Sequence, residues 1–302
     1  DITRLPAAQR TIGYVPQSFA LFPHMSVFAN IAYPLRLQGV GKAEVERRVA
    51  QAAEVLRITK LLGKRPSELS GGEKQRSAIA RGILKDARIF ILDDPLVGLD
   101  FKLRESLMED LTEMRAELGA TFLYATSDPL EALMMADDLV VLDGGRVADA
   151  NRVDRLYAEP RHLRAAELVG FPRCNVVAGR VEDGVCSTAL LRFRVALQGS
   201  EVTDVAVVIR PEQIVFAGGS AVPEGAPTGT GTVRLLEDLG AECVVYLDAG
   251  GETLVTTAPS RAVAHLDVGA RYPFLLRAAG MLVFDQASGA RLGHANVGRG
   301  DA

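Results

Sequence analysis

Cysteine is scarce in this chain of 302 residues: Cys174, Cys186 and Cys243 are all there is, and they stand far apart. Their spacing matches no zinc or redox pattern, and an odd count makes a poor disulfide framework. Reduced, mostly buried thiols are expected. A basic excess is lacking too. The formal net charge is −4, which speaks against an extended nucleic-acid surface. No apolar run is long enough to span a bilayer and no signal peptide opens the chain, so a membrane role would be peripheral. Internal repeats and long low-complexity tracts are absent. The pattern G-x-x-x-x-G-K-[ST] does not occur, which excludes a phosphate-cradling loop of the common kind within these residues. The opening Asp1-Ile2-Thr3 has no initiator Met and reads as mid-domain sequence, the start of a fragment or of a truncated product.

What is present supports buried cores: 48% of residues are hydrophobic and 24% charged, and the length leaves room for two domains. Apolar, β-branched runs at 11–16, 88–92 and 121–126 read as strands. Helical spacing of apolar residues marks 42–62, 73–84 and 101–118, with a short helix at 129–136. A strand at 138–142 turns through Asp143-Gly144-Gly145 toward Val147, a hairpin signal. Strand–helix alternation up to about residue 150 predicts an α/β domain with a largely parallel sheet. Residues 151–170 read as a helical connector. From 171 to 302 the texture changes to short β-rich runs (205–209, 232–236, 243–247, 253–257 and 271–276) between Gly-rich turns. That pattern predicts a small all-β, OB-like barrel, with a Gly- and Pro-rich loop at 217–231 inside it.

Two stretches carry chemistry. In Leu69-Ser70-Gly71-Gly72-Glu73-Lys74-Gln75-Arg76, Ser70 is an N-cap and Glu73 completes a capping box. The free N–H groups and dipole of that helix start make an anion site, and two glycines would let backbone approach a phosphate. A plain cap is the bland alternative. Downstream, Asp93 and Asp94 end the strand Ile89-Phe90-Ile91-Leu92. A carboxylate at the C-terminal edge of such a strand can hold Mg2+ on a nucleotide, and a neighbour can polarise an attacking water. The bland alternative is a pair of turn carboxylates before Pro95.

Taken together, these motifs resemble the ATP-binding subunit of bacterial ABC importers of the carbohydrate type, over nearly the whole chain. Tyr14-Val15-Pro16-Gln17 and its continuation Ser18-Phe19-Ala20-Leu21-Phe22-Pro23-His24-Met25-Ser26-Val27 resemble the Q-loop. Residues 69–76 resemble the signature, 89–94 the Walker B strand and 96–100 the D-loop. Arg210-Pro211-Glu212 and the β-rich tail resemble the regulatory TOBE domain. The implied fold is a P-loop NTPase-like ABC ATPase domain at 1–150, here without its phosphate-loop part, followed by the TOBE-type barrel. The implied ligands are ATP and Mg2+. Asp93 and Gln17 would hold the metal, and Gln17 would relay nucleotide state. Asp94, Gln17 and Ser127 occupy the catalytic positions. Ser70, Gly71, Gly72, Glu73 and Asp100 would complete the ATP site of a second ATPase subunit. Residues 21–31, with Phe22, Met25 and Val27, would line the groove for a permease helix. The implied place is the cytoplasmic face of the inner membrane, beside permease subunits and, indirectly, a periplasmic solute-binding protein, with no nucleic acid involved.

The sequence also departs from the family pattern. Gly41-Lys42 runs into Ala43, and Gly63-Lys64 into Arg65. Neither offers a phosphate loop, and both read better as a helix start and a loop. The resemblance implies that roughly 70 residues carrying that loop precede Asp1. The family usually has Glu where Asp94 stands; the shorter side chain would sit farther from the attacking water, and positioning dominates phosphoryl transfer. In Tyr124-Ala125-Thr126-Ser127-Asp128, Ser127 replaces the usual switch His, whose charge and reach a hydroxyl lacks. The expectation is therefore an importer ATPase for a sugar, polyol or glycerol-type solute, working as a heterodimer with a catalytically complete partner. The alternatives are a non-catalytic subunit and a different cargo, such as glycerol phosphate, polyamine, iron or molybdate.

Overall fold

The computed structural model describes residues 2–6, 9–85, 87–197, 203–216, 228–277 and 280–295. Two compact units divide the chain, Asp1–Glu131 and Ala132–Ala302.

In the first unit β1 (Ile12–Val15), α1 (Val27–Leu37), α2 (Lys42–Val55), α3 (Gly71–Ile83), β2 (Ile89–Asp93), α4 (Phe101–Leu118) and β3 (Thr121–Ala125) follow one another. The three strands form a parallel sheet in the order β1–β2–β3, with Val15 opposite Leu92 and Asp93 opposite Ala125. Parallel neighbours need crossovers, and the helices supply them. One sheet face is core: Val15, Phe90 and Leu92 are buried with Ile79, Leu107 and Leu111. Helix α3 lies close on β1 because two glycines meet there. A Cβ on Gly13 would come within 2.8 Å of the Gly82 carbonyl, and one on Gly82 within 2.4 Å of the Val15 side chain. On the opposite face the period of two sets out Tyr14, Ile89 and Leu123, all exposed.

Helix α1 forms despite Pro34. Its start is heavily tied down. Ser26 Oγ accepts from the Ala29 N–H at 3.2 Å, and the Val27 and Phe28 N–H groups reach the Lys64 and Leu62 carbonyls. The helix expected over 42–62 ends at Val55 instead, where Arg57 turns left-handed at φ 55° and a 3-10 turn, Thr59–Leu61, follows.

α5 (Pro129–Met135) straddles the division, and β4 (Asp138–Asp143) and β5 (Arg146–Arg152) open the second unit as a hairpin. Gly144 and Gly145 sit at φ 54° and 76°, the pair of positive angles that a two-residue hairpin turn requires. The connector contains α6 (Val153–Ala158) and α7 (Leu163–Leu168). Beyond it come β6 (Asn175–Glu182), β7 (Val185–Thr188), β8 (Arg192–Leu197), β9 (Thr203–Ile209), β10 (Ile214–Phe216), β11 (Thr228–Asp238), β12 (Glu242–Ala249), β13 (Glu252–Pro259), α8 (Ser260–Val263), β14 (Arg271–Leu276), β15 (Leu282–Asp285) and β16 (Arg291–Ala295). They build two β bodies rather than one. A closed barrel runs β15–β16–β8–β7–β6–β9, and a five-stranded sheet runs β10–β14–β11–β12–β13. Buried Asn175 joins them. Its amide donates to the Ile209 and Val255 carbonyls and accepts from the Val255 N–H. Of the loop expected at 217–231, residues 217–227 lie outside the described residues, and 228–231 open β11.

Arg210, which the sequence marks only as part of an Arg-Pro-Glu motif, is 5% exposed. Its guanidinium donates to the carbonyls of Ala166 (3.0 Å), Val169 (2.7 Å) and Tyr157 (2.8 Å) and lies 4.1 Å from the Tyr157 ring centre. A buried cation is costly unless its donors are filled, and here α6 and α7 fill them. Gly170 makes room: a Cβ there would stand 3.1 Å from the guanidinium. Among the described residues, no helix is long and apolar enough to cross a membrane.

Candidate functional site

The C-terminal edge of the parallel sheet gathers the polar residues. β2 delivers Asp93, which accepts a hydrogen bond from the Tyr14 hydroxyl at 3.2 Å. The chain then turns sharply. Asp94 is left-handed at φ 46°, a conformation costing about 1–2 kcal/mol for a residue with a Cβ. It is held by its own N–H, which donates to the Ala125 carbonyl at 2.8 Å. Gln17, in the loop after β1, donates Nε2–H to Asp94 Oδ2 at 3.2 Å. Thus Gln17, Asp93 and Asp94, singled out separately from the sequence, meet at one sheet edge. Tyr14 was not anticipated; its place on the same strand as the Q-loop, opposite Ile91, was the available signal.

The Gln17 loop continues through Phe19 and Ala20, both left-handed at φ 63° and 46°, into a turn built on Asn30. This fully buried amide accepts from the Phe22 N–H and donates to the carbonyls of Phe22, Met25 and Ser26. Of the residues expected to line a groove here, Phe22 and Met25 are half-buried, whereas Val27 and Ile31 are fully buried core. Those two cannot offer a surface.

At the start of α3 the capping box is complete. The Ser70 N–H donates to Glu73 Oε2 at 2.8 Å and the Glu73 N–H to Ser70 Oγ at 3.4 Å. Ser70 and Gly71 are exposed, so the helix start presents its N–H groups outward. The two glycines have different reasons. Gly71 has open space around its missing Cβ, but a Cβ on Gly72 would stand 2.5 Å from Leu103 Cδ2. Gly72 is therefore needed for packing against α4, and Gly71 alone keeps the approach clear. Asp100 caps α4, accepting from the Leu103 N–H at 3.0 Å. No hydrogen bond among the described residues joins Ser70–Glu73 to the carboxylate edge.

Ser127 is exposed, two residues beyond β3. Behind it lies a polar cluster that sequence reasoning did not find. Buried Glu131 accepts from the hydroxyls of Tyr124 (2.8 Å) and Thr126 (2.7 Å). Arg104 on α4 pairs with Asp128 at 2.8 Å and approaches Glu131 at 3.7 Å. Burial, then the Glu131 charge, pushes the Tyr124 phenol far above its ordinary value, so it stays protonated and donating. Arg104 lies 24 residues from Asp128 in sequence, and within the switch segment the sequence singled out Ser127 alone, since nothing in Tyr124, Thr126 and Glu131 taken singly signals a shared hydrogen-bond cluster.

Among the described residues no cluster of three or more His, Cys, Asp or Glu could hold a metal. A Mg2+ that arrives on a nucleotide keeps most of its ligands as phosphate and water, and the carboxylate edge fits such an ion: Asp93 ends the strand, and the Gln17 carboxamide stands beside Asp94.

A parallel sheet ending in paired carboxylates, a Gln loop on the neighbouring strand and an outward-facing capped Ser-Gly-Gly-Glu helix define an ATPase of the ABC class. Residues 1–97 match the family described as ABC transporter, and residues 207–284 match the TOBE domain. The diacetylchitobiose uptake system ATP-binding protein of Streptomyces coelicolor is 35% identical, over 97% of this chain and 82% of its own length. The trehalose/maltose import ATP-binding protein of Thermococcus litoralis is 36% identical, over 83% of this chain and 70% of its own length. The sn-glycerol-3-phosphate import ATP-binding protein of Cupriavidus pinatubonensis is 34% identical, over 96% and 81%. The chain belongs to the ABC transporter ATP-binding protein family and carries the TOBE domain at its C-terminal end.

Proposed function

We propose that this protein is the energising subunit of an importer for a sugar, polyol or glycerol-type solute. It would work at the cytoplasmic face of a bacterial inner membrane with permease subunits and a solute-binding protein. The observation that carries the reading is the convergence of Gln17, Asp93 and Asp94 at one sheet edge in a chain whose α3 also presents an intact signature cap. Relatives named for sugar and glycerol-phosphate import support the solute class; a relative named for spermidine and putrescine import, 34% identical, keeps polyamines as the competing cargo.

ATP would be sandwiched between two subunits. Mg2+ would neutralise charge on its phosphates. Asp93 and Gln17 would hold the metal, Asp94 would orient the attacking water, and Ser127 would stand at the γ-phosphate position. Ser70, Gly71, Gly72 and Glu73, with Asp100, complete the site of the second subunit through the helix-start N–H groups. We assign residues 1–150 to the ATPase part, 151–170 to the connector and 171–302 to the regulatory part. Asp94 and Ser127 are short for their tasks, whereas the signature is whole. The fitting arrangement is a heterodimer with one main hydrolytic site, supplied by a second ATPase.

The test is ATP hydrolysis and solute uptake by the transporter reconstituted from the full-length protein and its partner subunits. Ser70→Arg should abolish most hydrolysis, because it removes the hydroxyl cap, sets a cation on the positive end of the helix dipole and fills the space through which phosphate would approach. Asp94→Asn should cost less than about threefold, since the partner's site carries turnover. Equal damage from the two substitutions, or full transport by a homodimer, would reject the asymmetric arrangement. Absence of ATP-dependent uptake would reject the importer reading itself.

A further inference from the structure

Arg81 stands in the last turn of α3. A cation there ordinarily serves the carbonyls of its own helix. Instead its guanidinium crosses to the Gln17 loop, donating to the Ala20 carbonyl at 2.7 Å and the Phe19 carbonyl at 3.0 Å. It also lies 5.4 Å from the centre of the Phe22 ring, which packs on Tyr33 of α1. The two carbonyls belong to the two left-handed residues of the loop. Neither is glycine, so the loop holds a conformation it does not prefer, and Arg81 occupies both of the carbonyls that this conformation turns toward α3.

The reach is possible because Gly82, the next residue, presses α3 onto Val15 of β1. β1 in turn leads directly into Gln17. At the other end of α3, about 16 Å away along the helix axis, is the Ser70 cap. Helix α3 is thus a rigid rod with the signature at one end and a grip on the Gln17 loop at the other.

We propose that Arg81 is a positioning residue that latches the Gln17 loop to the signature helix and so sets the Gln17–Asp94 contact. The proposal rests on the importer reading for its functional consequence but not for the latch itself. Its chemistry is specific. A planar guanidinium can bridge two adjacent carbonyls, whereas a lysine ammonium is a point charge that satisfies them less well. Burial holds the Arg81 guanidinium below its ordinary pKa, as expected for a cation whose partners are neutral carbonyls.

The experiment has two arms, both on the full-length protein. In the first, amide hydrogen exchange is followed over residues 17–22 in wild type, Arg81→Met and Arg81→Lys, with thermal melts alongside. Exchange at Phe19 and Ala20 should rise at least about tenfold in Arg81→Met and less in Arg81→Lys. In the second, the solute transported per ATP hydrolysed by the assembled transporter should fall at least about fivefold with Arg81→Met, because the Gln17 loop relays nucleotide state, while kcat for hydrolysis moves less than about threefold, as with Asp94→Asn. Arg81→Lys should recover part of the coupling. Unchanged exchange in the loop overturns the latch; raised exchange with the coupling ratio unchanged overturns the positioning role. If Arg81→Met lowers the melting temperature, Arg81→Lys carries the same comparison. A wild-type transporter that hydrolyses no ATP would refute the importer reading, and the exchange arm would still decide the latch.

Discussion

Gly71 and Gly72 are neighbours in sequence with unlike surroundings, and substitution separates their roles. Gly72→Ala would drive a Cβ to 2.5 Å from Leu103; overpacking of this kind costs about 1–3 kcal/mol, visible as a lower urea midpoint. Gly71→Ala meets nothing within 4 Å and should keep stability within about 0.5 kcal/mol, so any loss of ATP turnover would report the anion contact. Cysteine gives a second residue-scale test. The Cys186 thiol is fully buried, and burial pushes its pKa up to about 11 from 9. The folded state therefore holds this proton more tightly than the unfolded one. Its stabilising contribution is complete below pH 9 and is lost as pH rises toward 11 and beyond. At pH 8 the thiolate fraction is about a hundredfold below that of an ordinary thiol, so iodoacetamide should label Cys186 only on unfolding. Labelling of the native protein at the free-thiol rate would contradict the burial. The residues legible in the sequence were those with local signatures: the Ser70 and Asp100 caps need only a few neighbouring residues. Tyr14, Arg81 and Arg104 act across long sequence separations, and no local pattern marks such partners.

Elements follow the same rule. α4 was readable from end to end because its period is clean and because Asp100 and a left-handed Gly119 mark its boundaries. Helix α1 was missed because Pro34 argues against a helix interior, while the compensation lies in contacts with Lys64 and Leu62. Strands β6–β8 were missed as well, since β6 runs from apolar residues into Arg180 and Glu182, β7 is only Val-Cys-Ser-Thr and β8 opens on Arg192 and Arg194, so none stands out as an apolar run. The Arg-Pro-Glu motif was legible as a pattern but silent about its task, which the structure assigns to α6 and α7. Arg210→Met would remove three charge-assisted hydrogen bonds and the stacking on Tyr157, for a loss of about 3 kcal/mol. Arg210→Lys, which lacks the planar fork, should recover less than half of that loss in denaturant titrations. Equal stability of wild type and Arg210→Met would show that the carbonyls find other partners at no cost.

For the whole molecule, where the chain can be cut follows from those same contacts. The change of sequence texture near residue 171 suggests a separate β-rich part beginning there. The described contacts draw the compact unit from Ala132, and the difference is physical. Ala166 on α7 packs with Ala206, Val208, Leu282 and Phe284 of the barrel, and the carbonyls that satisfy Arg210 come from 157–169. A fragment of 171–302 would expose that apolar patch and strand a buried guanidinium, which is among the costlier defects a fold can carry. A fragment of 132–302 keeps both contacts and the hairpin beside them, whose Val141 packs with Leu156 and Ala165. We expect 132–302 to melt cooperatively with β-dominated circular dichroism. The shorter fragment should melt at least about 10 °C lower, given several kcal/mol lost from a unit of this size. Restoring the missing contacts by adding a peptide of residues 151–170 should raise the melting temperature of the shorter fragment, and more so for the wild-type peptide than for one carrying Ala166→Asp. Equal melting of the two fragments would mean that α6 and α7 are passengers on the barrel rather than part of its core.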